Sequence, residues 1–226
     1  MCGRFTIWSD PSKVRKNMRL LDAPNLQARY IIAPTQEIPV VGLGKNGPNL
    51  IQMRWGLVPS WSKDPKAGAP LINARSDTVA VKPAFREAFR KRRCLIVADG
   101  FYEWTGEKEQ KQAWYITLKS GEPFGFAALW ERWRPPAGAP GEPILSAAIV
   151  TTDANDAIAH IHHRMPVILD PADHAAWLDT KATPDRLAGL LKPAPSASVQ
   201  AYRVGKTVNA VRNDGPECIA PLEAAA

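Results

Sequence analysis

Cysteine is scarce in this 226-residue chain: Cys2, Cys94 and Cys218 are odd in number and far apart. That spacing excludes a disulfide framework and a C-x-x-C metal or redox site, and it fits a reducing, cytoplasmic setting. Apolar runs long enough to span a bilayer are missing, and the opening MCGRFTIWSD lacks the basic and apolar regions of a signal peptide. The expectation is a soluble chain without a membrane partner, its N-terminus mature apart from Met1. Internal repeats are absent. The loop from Arg134 to Pro143 is too short to separate domains, so residues 1–226 read as a single domain. The stretch GLGKNG, Gly42 to Gly47, matches a dinucleotide fingerprint in letters only, because Pro48 and a second apolar run stand where a helix should open. A hairpin is the better reading, and no cofactor is called for.

What is present is ordinary for a globular core, with 45% hydrophobic and 23% charged residues, but 21 Pro and 15 Gly favour many short elements over long helices. Eight Trp against six Phe and four Tyr supply flat faces suited to cores and to base stacking alike. The formal charge of +7 suits an anionic partner such as nucleic acid without identifying one.

Asp10 and Pro11 cap a helix running to about Leu20, and Ile38 to Leu43 and Asn49 to Trp55 read as strands. Pro59 to Pro70 is a loop. A helix from Pro83 buries Phe85, Ala88 and Phe89 and ends in Arg90 to Arg93, four cations that read as a solvated face favoured by the helix dipole. Strands follow at Cys94 to Ala98, Ala113 to Leu118, Phe124 to Trp130 and Ile144 to Thr151, then helices at Asp153 to Ile161, Pro171 to Leu178 and Pro184 to Leu191, then a strand at Val199 to Val204. Without a strict βαβ alternation this is an α+β chain.

The first candidate for chemistry is Cys2. With Met1 removed it presents an α-amine and a thiol on adjacent carbons. An α-amine has a reference pKa of about 7.7–8.0, so a fraction of it is uncharged near neutral pH and can attack an aldehyde. The thiol can then close on the imine carbon to form a thiazolidine. The bland alternative, an apolar residue tucked against a strand, weighs about equally on chemistry alone. All four histidines, His160, His162, His163 and His174, lie within fifteen positions. No spaced Cys or acidic partner completes a tetrahedral set, so a metal is not expected.

MCGRF at the start, RWGLVPSW at Arg54 to Trp61, INARSDT at Ile72 to Thr78, ADGFYEW at Ala98 to Trp104 and IHHRMPVIL at Ile161 to Leu169, in that order, resemble the SOS response-associated peptidase family. VRNDGPECIAPL near the end also fits. The resemblance implies one mixed α+β domain on a strongly curved, barrel-like sheet with short peripheral helices. It implies a basic cleft for single-stranded DNA containing abasic sites, including junctions with duplex, and an N-terminal cysteine that bonds to the sugar aldehyde. Carried over by motif, Cys2 is the nucleophile, Asn73 positions the amine or sugar, Glu103 is an acid/base and His162 assists proton transfer. Opening the closed deoxyribose needs one proton delivered and another removed, which a carboxyl and an imidazole can do together. Desolvation among Phe101, Tyr102 and Trp104 would keep Glu103 partly protonated. Taken alone, Glu103 would read as a surface carboxylate.

Arg4 and Arg75, in family motifs, are the phosphate contacts expected, and Trp61 is the candidate wedge or stacking face, with core packing as its alternative; Trp55 and Trp104 read as core. Two positions depart from the family pattern: His163 stands where Asp is usual, and Ile31 where Asn is usual. The first bears on the charge state of His162, because a carboxylate beside it would favour imidazolium and a second imidazole would not. Abasic-site crosslinking by a monomer leads, with weak lyase activity and crosslink reversal possible through the imine. A cysteine peptidase built on Cys2, His162 and Glu103 is the runner-up, although Met1 alone is little leader to remove. Non-covalent DNA binding is third.

Overall fold

The computed structural model describes residues 2–107 and 110–222. Its elements are β1 (Phe5–Ile7), α1 (Pro11–Met18), β2 (Arg29–Ile32), β3 (Glu37–Gly44), β4 (Gly47–Trp55), β5 (Asn73–Arg75), α2 (Arg86–Lys91) and β6 (Arg93–Ala98). They continue with β7 (Gly100–Thr105), β8 (Gln112–Leu118), β9 (Phe124–Trp133), β10 (Ile144–Asp153), β11 (Arg164–Pro166), β12 (Ile168–Leu169), α3 (His174–Leu178), α4 (Pro184–Leu190) and β13 (Val199–Val204). Short turns of 3-10 helix complete the chain.

The α+β class holds, and the curved sheet closes on itself. Strands β10, β4, β3, β6 and β9 pair in that order, and β9 then pairs back with β10. The ring is irregular: β10 runs parallel to β4 over two residue pairs, while β3 and β4 pair over their full length. The GLGKNG segment is the turn of that β3–β4 hairpin, with Gly44 opposite Gly47 and Gly47 at φ 124°, a conformation that a side chain would strain. A second sheet, β13-β8-β7-β1-β2, is antiparallel throughout. Phe5 of β1 joins the two, edge-on to Trp55 of β4 at 5.0 Å and to Phe126 of β9 at 6.0 Å. A smaller apolar cluster, with Ile31, Tyr102, Tyr115, Val208 and Cys218, covers other regions of the second sheet.

Asp10 caps α1 by accepting from the Ser12 N–H at 2.7 Å, and Arg19 ends it in the left-handed conformation. Two expectations fail. Residues 154–163 form turns and not a helix: Asn155 spends its side-chain amide on the Ala194 carbonyl at 2.8 Å, and Ala154 donates to the His163 carbonyl at 3.0 Å, closing a loop between β10 and β11. Nor is the run Arg90 to Arg93 wholly a solvated face: Arg90 and Lys91, in the last turn of α2, are exposed, but Arg92 is half-buried and Arg93 buried. Arg93 is 4% exposed and donates to the carbonyls of Phe89, Arg90, Trp177 and Asp179, tying α2 to α3, while Arg92 pairs with Glu131 at 2.7 Å. Among the described residues no helix is long and apolar enough to cross a membrane.

Candidate active site

Strand β10 gathers the site by pairing along both edges. One edge takes β4 and then β5, so that Asn73 stands opposite Ile149 and Arg75 opposite Thr151. The other takes β9 and then β11, where Asp153 faces Arg164 just past the 154–163 loop. Alternation along β5 sends Ala74 into the core and leaves Asn73 and Arg75 on the opposite face. From the second sheet, β7 pairs with β1, and the Tyr102 N–H reaches the Arg4 carbonyl at 3.0 Å, carrying the N-terminus alongside Glu103. The crossing is tight at Gly100, where a Cβ would collide with the Tyr115 ring.

Cys2 is completely buried. Its carbonyl accepts from Asn73 Nδ2 at 2.9 Å, and its thiol leans on the Arg4 carbonyl at 3.7 Å. Asn73 Oδ1 is buried and has no hydrogen-bond partner among the described residues, an acceptor left open beside residue 2. Burial, with the nearby Glu103 carboxylate, pushes the Cys2 thiol far above the ordinary thiol range. Glu103 is 4% exposed, and burial raises its carboxyl as well.

His162 reaches the same neighbourhood from the loop before β11. Trp114 stands opposite Glu103 on β8, and His160 packs edge-on against Trp114 at 5.5 Å, seating the loop against this area of the sheet. His162 is half-buried, which lowers its affinity for a proton, and its ring stacks on His163 with centroids 4.4 Å apart and planes 21° apart. The fourth histidine, His174, is buried on α3 against Gly125, away from this group. Among the described residues no three His, Cys, Asp or Glu side chains are placed to hold a metal ion.

The basic residues divide. Arg4 is half-buried, donates to the Val208 carbonyl at 2.9 Å and lies over the Trp104 ring at 5.0 Å. Trp104 is therefore core on one side only, packed against the smaller apolar cluster. It borders a 340 Å³ cavity with Gly3, Arg4, Lys111 and Asn209, because alternation along β7 sends Phe101 and Glu103 one way and Tyr102 and Trp104 the other. Arg75 is exposed and forked onto Asp77 at 2.6 and 3.2 Å. Trp61 is 67% exposed on its loop, whereas Trp55 is buried with its indole N–H on the Ile72 carbonyl. Ile31 packs in the smaller apolar cluster, its N–H held by Asp214 at 2.8 Å. Lys111 and Asn209 carry no sequence signal. Arg164 had one, being inside IHHRMP, yet its role emerges only in the structure: 3% exposed, it anchors the loop by pairing with Asp153 at 3.0 Å and with the Thr151 carbonyl.

Residues 1–211 match the SOS response associated peptidase (SRAP) model, and the chain belongs to that family. Its relatives include the abasic site processing protein YoqW of Bacillus subtilis strain 168, 40% identical over 225 residues that cover 97% of this chain and 99% of that one. The abasic site processing protein HMCES of Gallus gallus is 39% identical over 199 residues, 77% of this chain and 58% of that one. Among solved structures, a Bacteroides thetaiotaomicron protein superposes with a TM-score of 0.83 at 26% identity, covering 98% of this chain and 100% of the other. A phage-related protein of Bordetella bronchiseptica gives 0.71 at 29% identity, over 90% and 94%.

Proposed function

We propose that this protein processes abasic sites in single-stranded DNA, including junctions with duplex, by forming a covalent adduct through Cys2 once Met1 is removed. The Cys2 amine condenses with the open-chain sugar aldehyde and releases water, giving an imine. The thiol then adds across the C=N bond, sulfur to carbon and proton to nitrogen, closing a thiazolidine. Relatives named for abasic site processing support the substrate class.

The observation that carries the reading is the packing of Asn73 and Glu103 round residue 2. Asn73 fixes the Cys2 carbonyl and keeps a buried, open acceptor for an amine N–H. Glu103, its carboxyl raised by burial, delivers a proton to the sugar ring oxygen, while His162 takes one from the hydroxyl. The thiol stays protonated, so the amine makes the first bond. A cysteine peptidase needs a thiolate at this position, which the raised thiol disfavours. Arg4, Arg75 and the exposed Trp61 hold the strand through phosphates and stacking, without reading its sequence. The imine leaves β-elimination open, giving weak lyase activity and reversal. The reading takes residues 1–226 as one domain, working as a cytoplasmic monomer without a cofactor.

The test is incubation of the mature chain with an abasic single-stranded oligonucleotide, followed by a denaturing gel. A stable band should form, Cys2→Ser should give a product that survives only after borohydride, and an uncleaved N-terminal tag should abolish the band. A tagged protein that still forms it would sink the thiazolidine and return the thiol alone to consideration.

A further inference from the structure

We propose that His163 is a positioning residue for His162: stacked on the exposed side of the pair, it holds the neighbouring imidazole neutral, with Nδ1 bare and the proton on Nε2. The inference rests on the proton-transfer role given to His162 above.

The geometry starts from the Arg164 backbone, which offers His162 Nδ1 two opposite partners. The Arg164 N–H lies at 2.9 Å and its carbonyl at 3.1 Å. A bare Nδ1 accepts from the first; a protonated Nδ1 must turn to the second. Arg164 itself does not move to suit, because its guanidinium is buried and fixed by Asp153 and Thr151, and the Ala154 N–H closes the loop on the His163 carbonyl. The backbone alone therefore allows either state, and the charge around the ring decides between them.

That charge is mostly positive. Its half-burial opposes a proton on His162, and so do the charges of His163 and Arg164. Asp153, the carboxylate of the adjoining strand, is paired with Arg164. Of these groups His163 is the one whose ring lies face to face with His162. His163 is exposed and His162 half-buried, so a charge costs less desolvation on the outer ring than on the inner one. Two positive charges at the observed 4.4 Å repel enough, even in water-like surroundings, to separate the two protonations by roughly 0.7 pH unit. His163 thus keeps His162 able to accept a proton at a pH where an isolated imidazole would already be charged.

The experiment is a proton and nitrogen NMR titration of the free, full-length protein, with the His162 signals assigned by His162→Gln. Wild type is compared with His163→Asp and His163→Phe, exposed-site changes of which the second keeps a flat face and drops the charge. The expected result is an Nε2–H tautomer for neutral His162 in wild type. Its midpoint should rise by about one pH unit or more in His163→Asp and by a smaller amount in His163→Phe. Midpoints within about 0.2 unit across wild type and His163→Asp, or an Nδ1–H tautomer in wild type, would overturn the proposal. Adduct formation across pH is then followed with the same variants. An acid limb that moves with the NMR midpoint supports both the coupling and the role of His162. An NMR midpoint that moves while the limb stays fixed supports the coupling and removes His162 from the reaction.

Discussion

Replacing Asp77 with Asn should release Arg75 for DNA. In the free protein the Arg75 guanidinium is forked onto the Asp77 carboxylate, both side chains about half exposed. The fork holds the Asp77 carboxyl down at about 2, so the pair stays ionised throughout the physiological range and a change of pH does not open it. A phosphate must displace Asp77 to reach Arg75. Removing the carboxylate adds about one uncompensated positive charge to the strand's path, and for single-stranded DNA each neutralised phosphate steepens the slope of log K against log salt by about 0.7. Asp77→Asn should therefore bind more tightly at low salt. Its advantage over wild type should shrink about 2.6-fold between roughly 50 and 200 mM salt. Fluorescence anisotropy on an intact single-stranded oligonucleotide, which has no aldehyde to react with, reads both quantities. In an Arg75→Ala background most of the gain should vanish. An unchanged slope, or an equal gain without Arg75, would refute the reasoning and leave Arg75–Asp77 as a surface ion pair with no role in binding.

Arg93→Met keeps apolar bulk but leaves four carbonyls between α2 and α3 without their donor, and should cost about 3 kcal/mol. Calorimetry should then show a melting point lower by about 6–12 °C; a drop below about 2 °C would mean that water replaces the guanidinium. Glu103→Gln should slow adduct formation while leaving affinity for intact DNA nearly unchanged. In wild type the rate should fall on the alkaline side as Glu103 ionises, a limb displaced upward from ordinary carboxyls by burial. That limb should be missing in Glu103→Gln, and its persistence would assign it to another group. Trp61→Ala should weaken binding to junctions more than to plain single strands, checked by comparing the two dissociation constants; equal losses would make Trp61 a general stacking face.

Local chemistry made much of the fold legible in the sequence. Pro48 forbade a helix after GLGKNG, so the hairpin followed, and Asp10-Pro11 announced α1. The reading failed where tertiary partners override local pattern. Ile158 and Ile161 are buried three positions apart, as on one face of the expected helix, yet the segment is a loop, because Asn155 bonds to Ala194 and the Asp153–Arg164 pair closes the two ends. Arg93 looked like one more cation at a helix end, and nothing local reveals that four carbonyls from two helices converge on it. Trp104 was placed only in part, as core and not as cavity wall, because both faces of β7 are covered and hydrophobicity could not say which face meets the cavity. The candidate site was legible through its motifs, but the open Asn73 acceptor, the Arg75–Asp77 fork and the stacked histidines are distances, and no spacing encodes them.

The most direct test of the account is the intact mass and peptide map of the product formed with an abasic oligonucleotide. The product should have a mass equal to protein without Met1 plus oligonucleotide minus one water, stable without reductant, with the modification on Cys2 and no free thiol or primary amine left there. An adduct on another residue, or on a Cys2 whose amine is still free, would contradict it.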